Sequence, residues 1–265
     1  MFSLWKRRSL AIGYWQYWLN AVNQHSLHAP FIYNFYQEVI RDQSHSSNFQ
    51  AIEEYRKALL KSEEEVSIPT LGATSLVSQS SSHKVKSVAQ HSLSTPKFGR
   101  FLSRLVQFQQ PNRIIELGTS LGITSLYLSL ADDTTAIYTL EGAPDIADLA
   151  TKAFSHFHCQ NIDLRKGSID QTLPVLLAEL PQIDLAYVDA NHRFEPTLRY
   201  FSQLLAKTHE QSILIFDDIH WSPGMRRAWK TIIQHPQVTL SIDLFDAGLV
   251  FLRPLTTKQH YFLMF

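Results

Sequence analysis

Two stretches of the chain set acids beside glycines or histidines at spacings that chemistry can use. The first is Glu116-Leu-Gly-Thr-Ser-Leu-Gly122, followed by Glu141 twenty-five positions after Glu116. Gly118 and Gly122 let the backbone turn tightly and approach a ligand closely. An acid ahead of the first glycine suits a cationic ligand, so Glu116 is a candidate to receive an amino group. An acid ending the next strand, here Glu141, accepts hydrogen bonds from ribose hydroxyls. Dinucleotide binding asks for G-x-G-x-x-G, whose second glycine admits the pyrophosphate. Ser120 stands at that position, so the dinucleotide fingerprint fails.

The second stretch pairs Tyr187-Val-Asp-Ala-Asn-His-Arg193 with Phe216-Asp-Asp-Ile-His220. Asp189, Asp217 and Asp218 are three hard oxygen ligands suited to Mg²⁺ or Ca²⁺, with coordination positions left for water and substrate. His192 and His220 also permit a softer divalent cation. An imidazole titrates near pH 6.5, so His192 can accept a proton at neutral pH. The competing reading is that strand-end acids cap the next helix and the histidines bond locally. His25, His28 and His83 show no ligand spacing.

These residues need a scaffold that brings strand ends together. From residue 94 onward strands and helices alternate. Apolar runs at Arg113–Leu117, Ala136–Leu140, Asn161–Arg165, Ile183–Val188 and Ser212–Phe216 are separated by helical stretches. That alternation implies a parallel sheet. Thr239–Phe245 and Gly248–Leu252 lie close enough for a hairpin, so the last strand is expected to run antiparallel. The predicted fold is α/β, Rossmann-like, with seven strands. In such a sheet ligands bind beyond the carboxyl ends of the strands, where the candidate residues fall.

Residues 1–63 read as a helical appendage, with Trp15, Trp18, Leu19 and Val22 at helical spacing and a break at Pro30. Residues 64–93, with Pro69, Gly72 and the polar run Ser78–His83, read as a linker or lid without periodicity. Residues 94–265 are the expected catalytic domain. Lys6, Arg7 and Arg8 before an apolar stretch resemble a signal peptide superficially. Gln16, Asn20, the crowded tryptophans and the lack of a small-x-small cleavage site argue against one. The single cysteine, Cys159, excludes an intrachain disulfide and a cysteine metal cage and points to a reducing, cytoplasmic setting. Twenty-four basic and 24 acidic side chains balance, which gives no electrostatic reason to expect nucleic acid. No stretch is long enough to span a bilayer.

Glu116–Gly122 and Leu140-Glu-Gly142 resemble the cofactor motifs of class I methyltransferases, above all the catechol and caffeoyl-CoA type O-methyltransferases. The resemblance covers roughly residues 94–253. It implies S-adenosylmethionine as cofactor, with Glu116 and Thr124 at its methionine end, Glu141 on the ribose, and the loop Gly167–Asp170, including Ser168 and Asp170, bordering the adenine. The metal-dependent members carry one Asp after the fourth strand and an Asp-Asn pair after the fifth. This chain has Asp217-Asp218 at the pair. Those enzymes use a lysine three residues after the first Asp as base, and His192 stands there. The resemblance thus implies methyl transfer to a hydroxyl of a small molecule, with Asp189, Asp217 and Asp218 holding a divalent metal and His192 taking the proton. Metal-independent transfer, a non-catalytic scaffold and a Rossmann-like oxidoreductase are the alternatives. A homodimer through the N-terminal segment is a further expectation.

Overall fold

The structure, a computed structural model, describes residues 13–15, 17–41, 49–69 and 80–265. Lys6, Arg7, Arg8, Gln16, Gly72, Ser78 and Gln79 lie outside the described residues.

The described residues open with helical stretches at 13–15 and 17–20 (α1), then α2 (Pro30–Phe35), which runs on into a wider helical turn at Tyr36–Ile40. Next come α3 (Gln50–Leu59), β1 (Glu65–Pro69), β2 (Ser80–Lys84), α4 (Val85–Ser92) and α5 (Pro96–Gln109). The alternating part follows: β3 (Arg113–Leu117), α6 (Ile123–Ser129), β4 (Ala136–Glu141), α7 (Pro144–His156), β5 (Ile162–Lys166) and α8 (Ile169–Glu179). It continues with β6 (Leu185–Val188), α9 (Phe194–Leu205), β7 (Ile213–Asp217), α10 (Pro223–Gln234), β8 (Leu240–Asp243), β9 (Ala247–Phe251) and β10 (Gln259–Phe262).

Local chemistry sets several boundaries. Thr95 caps α5 by accepting from the Phe98 amide at 3.2 Å, and Pro96 fits the first turn, whose amide needs no partner. Ser222 and Pro223 repeat the device at α10, with the Met225 amide 3.1 Å from the Ser222 hydroxyl. β6 and β9 are buried along their whole length, as strands covered on both faces must be.

The main sheet has eight strands in the order β10-β8-β9-β7-β6-β3-β4-β5. β4 and β5, β6 and β7, and β8 and β10 pair parallel, whereas β9 runs antiparallel to both β7 and β8. The α/β class and the antiparallel strand match the sequence reading, with one correction. An eighth strand, β10, follows the antiparallel one and covers the edge of β8. Four residues after a polar run carry too little pattern to announce a strand.

By packing, the chain divides into two compact units. The first comprises the described residues up to Arg41 with Arg113–Ile115 and Leu177–Phe265; the second comprises those from Asp42 to Asn112 with Glu116–Leu176. In the first unit, α2 docks its aromatic face on β9, with Phe35 and Phe251 rings 5.5 Å apart and the Arg253 guanidinium 3.7 Å from the Phe31 ring centre. In the second, Phe49, Ile52 and Leu59 join Val66, Val85, Ala89, Leu126 and Phe154 in one buried cluster. The stretch read as a linker therefore holds regular structure at both ends, where β1 and β2 pair antiparallel. Val66 and Val85 were too widely spaced along a polar segment to show their burial as periodicity. No helix among the described residues is long and apolar enough to cross a membrane.

Candidate functional site

The glycine loop between β3 and α6 belongs to the second unit. Its backbone reaches positive φ at Gly118 (99°), Ser120 (49°) and Gly122 (80°). The first and third positions suit glycine. At Gly122 there is a packing reason as well, because an added Cβ would lie 2.8 Å from the Phe154 ring on α7. Ser120 adopts the left-handed region with a side chain, which is uncommon outside Asn, Asp and Gly.

Glu141, half-buried at the end of β4, accepts the Ser120 amide on one carboxylate oxygen and the Ala143 amide on the other, each at 2.8 Å. The amide of Gly167 bonds the Glu141 carbonyl at 2.8 Å, which brings the Gly167–Asp170 loop to the same strand end. There Ser168 is half-buried and caps α8 through its carbonyl, while Asp170 is exposed on the first turn of that helix. Thr124, on the first turn of α6, has its hydroxyl 3.3 Å from that of Ser94.

Glu116, expected to meet the ligand's amino group, is wholly buried within β3. Its carboxylate accepts hydroxyls from Ser125 and, at 2.6 Å, Thr139. Thr139 gives its one proton to Glu116, so in the 2.6 Å contact between Thr119 and Thr139 the donor must be Thr119. Glu116 thus braces the loop through a relay of hydroxyls on one carboxylate oxygen. Two residues that the sequence reading passed over stand nearer. Ser92 accepts the Ser120 hydroxyl at 2.8 Å, and Ser94 contacts Thr124. The hydroxyl run Ser92, Ser94, Thr95 was the available signal.

The acidic cluster belongs to the first unit. Asp189 follows β6, Asp217 ends β7, and Asp218 and His192 sit in the loops beyond. His192 Nε2 lies 3.3 Å from Asp189, and its Nδ1 lies 3.8 Å from Asp218. Asn191, His192 and Asp218 all have positive φ, at 64°, 35° and 56°. Such residues cost on the order of 1 kcal/mol each and persist where surrounding structure holds them. The holding groups are visible: the Asn191 side chain donates to the buried Tyr200 hydroxyl at 2.5 Å, and the His192 amide to the Ala190 carbonyl at 2.8 Å.

Electrostatics sets these groups apart. Burial and the charges of Asp189 and Asp218 hold the Asp217 carboxyl well above the usual carboxylate range, although the Tyr187 hydroxyl donates to it at 3.0 Å. Asp218 is raised by burial, with His192 opposing and Asp189 and Asp246 reinforcing. Burial works against a charged His192, but the hydrogen bond and charge of Asp189 and the charge of Asp218 outweigh it, so its pKa is raised.

The structure brings Asp189, Asp217, Asp218 and His192 together, as the sequence reading expected, but not as a metal cage. Among the described residues no three His, Cys, Asp or Glu side chains are placed to hold one ion. The His192 ring lies between two of the carboxylates, and the third takes a phenol hydrogen bond. His220 is turned away to a separate pair with Asp243 at 2.8 Å. Met225 and Trp229 on α10 are core residues, with 2% and 4% of their surface exposed. Gly248 is what admits the Trp229 ring, since an added Cβ would meet it at 2.6 Å.

Residues 115–219 match a family model described as a methyltransferase domain. The chain is similar to a catechol O-methyltransferase of Niastella koreensis, 27% identical over 128 residues that make up 47% of this chain and 57% of that protein. It is likewise 27% identical over 128 residues to a protein-L-isoaspartate O-methyltransferase of Methanocella arvoryzae, covering 43% of this chain and 67% of that one. The chain therefore spans little more than half the length of the first of these relatives. Among solved structures, the SAH-bound methyltransferase PaMTH1 of Podospora anserina superposes with a TM-score of 0.61 at 16% identity, over 86% of this chain and 98% of that one. Residues 115–219 thus match a methyltransferase domain, in a chain that shares its fold with solved methyltransferases.

Proposed function

We propose that the chain binds S-adenosylmethionine and transfers its methyl group to a hydroxyl oxygen of a small molecule, with His192 removing the hydroxyl proton. The observation that carries the reading is the His192 imidazole held between the carboxylates of Asp189 and Asp218, in a chain whose methyltransferase domain bears a half-buried Glu141 fixed by two backbone amides. The donor set around Glu141 suits the cofactor: a carboxylate pinned at a strand end is an acceptor for the paired hydroxyls of a ribose. Ser120 and Thr124, with Ser92 and Ser94 against them, offer hydroxyls at the same loop.

When bound, S-adenosylmethionine supplies an electrophilic methyl on a sulfonium sulfur. A hydroxyl attacks such a carbon well only as its proton leaves, and a positioned base contributes roughly 10²–10⁴-fold to such a step. Asp189 orients the His192 ring and stabilises the imidazolium that forms when the proton arrives, while Asp218 adds negative charge on the ring's other side. The sulfur–methyl bond breaks as the oxygen–methyl bond forms, and the proton rests on His192. The metal-assisted version expected from the sequence is not carried further, because the carboxylates are not disposed as ligands to one ion.

Calorimetric titration with S-adenosylhomocysteine, with Mg²⁺ and again with EDTA, tests the cofactor. Micromolar binding in both conditions is expected. Turnover of catechol-like acceptors by the wild type and by His192→Gln then tests the base. A folded protein that binds no S-adenosylhomocysteine would sink the enzymatic reading and favour a scaffold. Binding with unimpaired turnover in His192→Gln would sink only the assignment of the base.

A further inference from the structure

The pair His220–Asp243 belongs to the first unit and takes no part in the proposed proton transfer, yet it is built into the turn that carries Asp218. That turn is Asp218-Ile-His-Trp221, closed by the Trp221 amide on the Asp218 carbonyl at 2.9 Å. Its first residue, Asp218, is left-handed at a φ of 56° and brings its carboxylate to 3.8 Å from His192 Nδ1. Both central residues turn toward the protein. Ile219 is fully buried, and His220 Nε2 meets the Asp243 carboxylate at 2.8 Å.

Asp243 ends β8 with 1% of its surface exposed. A carboxylate taken so far out of water needs hydrogen-bond donors. Its Oδ1 accepts the Phe245 amide at 2.8 Å, and its Oδ2 faces His220. The other imidazole nitrogen, Nδ1, is buried and has no hydrogen-bond partner among the described residues. Nε2 is therefore the nitrogen that carries the proton and donates to Asp243, and no second hydrogen bond fixes the ring. What steadies the ring's face is Phe245, stacked on it with centroids 5.1 Å apart and planes 15° from parallel. Tyr14 and Tyr17 of α1 pack on Phe245 in turn, at 5.0 and 5.6 Å. The Arg226 guanidinium also donates to the His220 carbonyl at 3.2 Å.

A left-handed residue with a side chain persists where its surroundings over-determine it. Ile219 contributes burial, which has no direction, whereas the His220–Asp243 bond fixes both a length and an angle. We propose that His220 is a positioning residue: bonded to Asp243 and stacked on Phe245, it holds the turn so that the Asp218 carboxylate faces His192. Its effect on turnover rests on the methyl-transfer reading, whereas the placement of the turn does not.

The test pairs hydrogen–deuterium exchange over residues 217–222 with turnover and S-adenosylhomocysteine binding, in the full chain and in its variants His220→Leu and His220→Gln. Leucine fills space and cannot donate; glutamine offers an N–H to Asp243. In His220→Leu the Trp221 amide should exchange on the order of tenfold faster, because a hydrogen bond to a charged group is worth at least that factor. Its kcat should fall roughly ten- to a hundredfold, the scale of a 1 Å misplacement, with cofactor affinity within about twofold of wild type. His220→Gln should recover most of both losses. With Asp218→Asn already present, His220→Leu should cost little further turnover, since the charge that it places is gone. A pair that only stabilises the fold would instead give losses that multiply.

Unchanged exchange in a folded His220→Leu, multiplying losses, or a glutamine that recovers neither readout would each overturn the proposal. Should His220→Leu not fold, Phe245→Leu keeps the Asp243 bond and removes the stacked ring. It carries the same expectations at smaller size, and a turn that it does not loosen would overturn the proposal equally. A wild type that binds no S-adenosylhomocysteine would sink the methyl-transfer reading, and the exchange data alone would then decide the placement of the turn.

Discussion

At the ends of β3 and β4, Glu116 and Glu141 are met by donors: two hydroxyls at the first and two backbone amides at the second. At the ends of β6 and β7, Asp189, Asp217 and Asp218 are met largely by one another, with His192 and the Tyr187 hydroxyl as the relieving groups. Both loops use left-handed residues, but the first places glycine at two of its three such positions and the second at none of its three. The first region is fixed by its own hydrogen bonds, which suits the proposed holding of a cofactor. The second keeps charge under tension, with two carboxyl groups and an imidazole raised above their ordinary pKa values, which suits moving a proton.

The comparison breaks most visibly at His192. His192→Ala is expected to lower turnover by roughly 10²–10⁴-fold while leaving S-adenosylhomocysteine affinity within about twofold, since a general base contributes to the reaction and not to cofactor binding. Steady-state kinetics alongside calorimetry separates the two effects. Glu141→Ala should do the reverse. It removes a charged acceptor, worth about 1.5–3 kcal/mol in hydrogen bonds to an ionised group, or roughly ten- to a hundredfold in cofactor affinity. Because the Ser120 and Ala143 amides also lose their partner, circular dichroism must first show that the variant is folded. Equal losses of affinity in both variants would erase the distinction between the regions.

The pH profile sharpens it further. His192 must be neutral to accept a proton, and its folded pKa lies above the usual value of about 6.5. Activity is therefore expected to rise with pH through a limb above that value. Asp189→Asn removes the leading group that raises the imidazole, so the limb should move to lower pH as the maximal rate falls. A limb that stays in place in Asp189→Asn would show that another group governs it. EDTA should leave the profile unchanged.

How far these contrasts could be read from the sequence depends on how local their causes are. The motifs placed Gly118, Gly122, Glu141, Asp189 and Asp217 at strand ends, because periodicity and spacing already encode which residues finish a strand. The α/β class followed from the same alternation. What stayed hidden depends on pairing across the chain. Glu116 looks like any strand-end acid until Ser125 and Thr139 are found aimed at it. Ser92 and Ser94 precede the loop by about thirty positions, with nothing in between to say that they fold onto it. Three aspartates in sequence define a donor set, but only side-chain placement decides whether His192 stands among them.

The smallest effects are also the most discriminating, because one chemical change should have opposite signs in the two regions. Glu116→Gln replaces a carboxylate that receives two hydroxyls by an amide, which weakens both bonds and adds a buried donor among groups that already donate. A loss of about 1–3 kcal/mol is expected. Asp217→Asn keeps an oxygen for the Tyr187 hydroxyl and removes a charge that burial and two neighbouring carboxylates oppose. It should gain roughly 0.5–2 kcal/mol at neutral pH, as relief of a strained functional site commonly does. The sign follows from linkage. The folded state holds the Asp217 proton more tightly than the unfolded chain does, so the wild type is penalised most above the raised pKa. The advantage of Asp217→Asn should therefore shrink as pH falls and vanish near the ordinary carboxylate value of about 4, where Asp217 is protonated in both states. Thermal melts of the two variants at neutral and acid pH read this directly, at about 2–4 °C per kcal/mol for a chain of this size. Two shifts of the same sign would mean that both acids are held by their donors alike, and that crowding at the ends of β6 and β7 does not set that region apart.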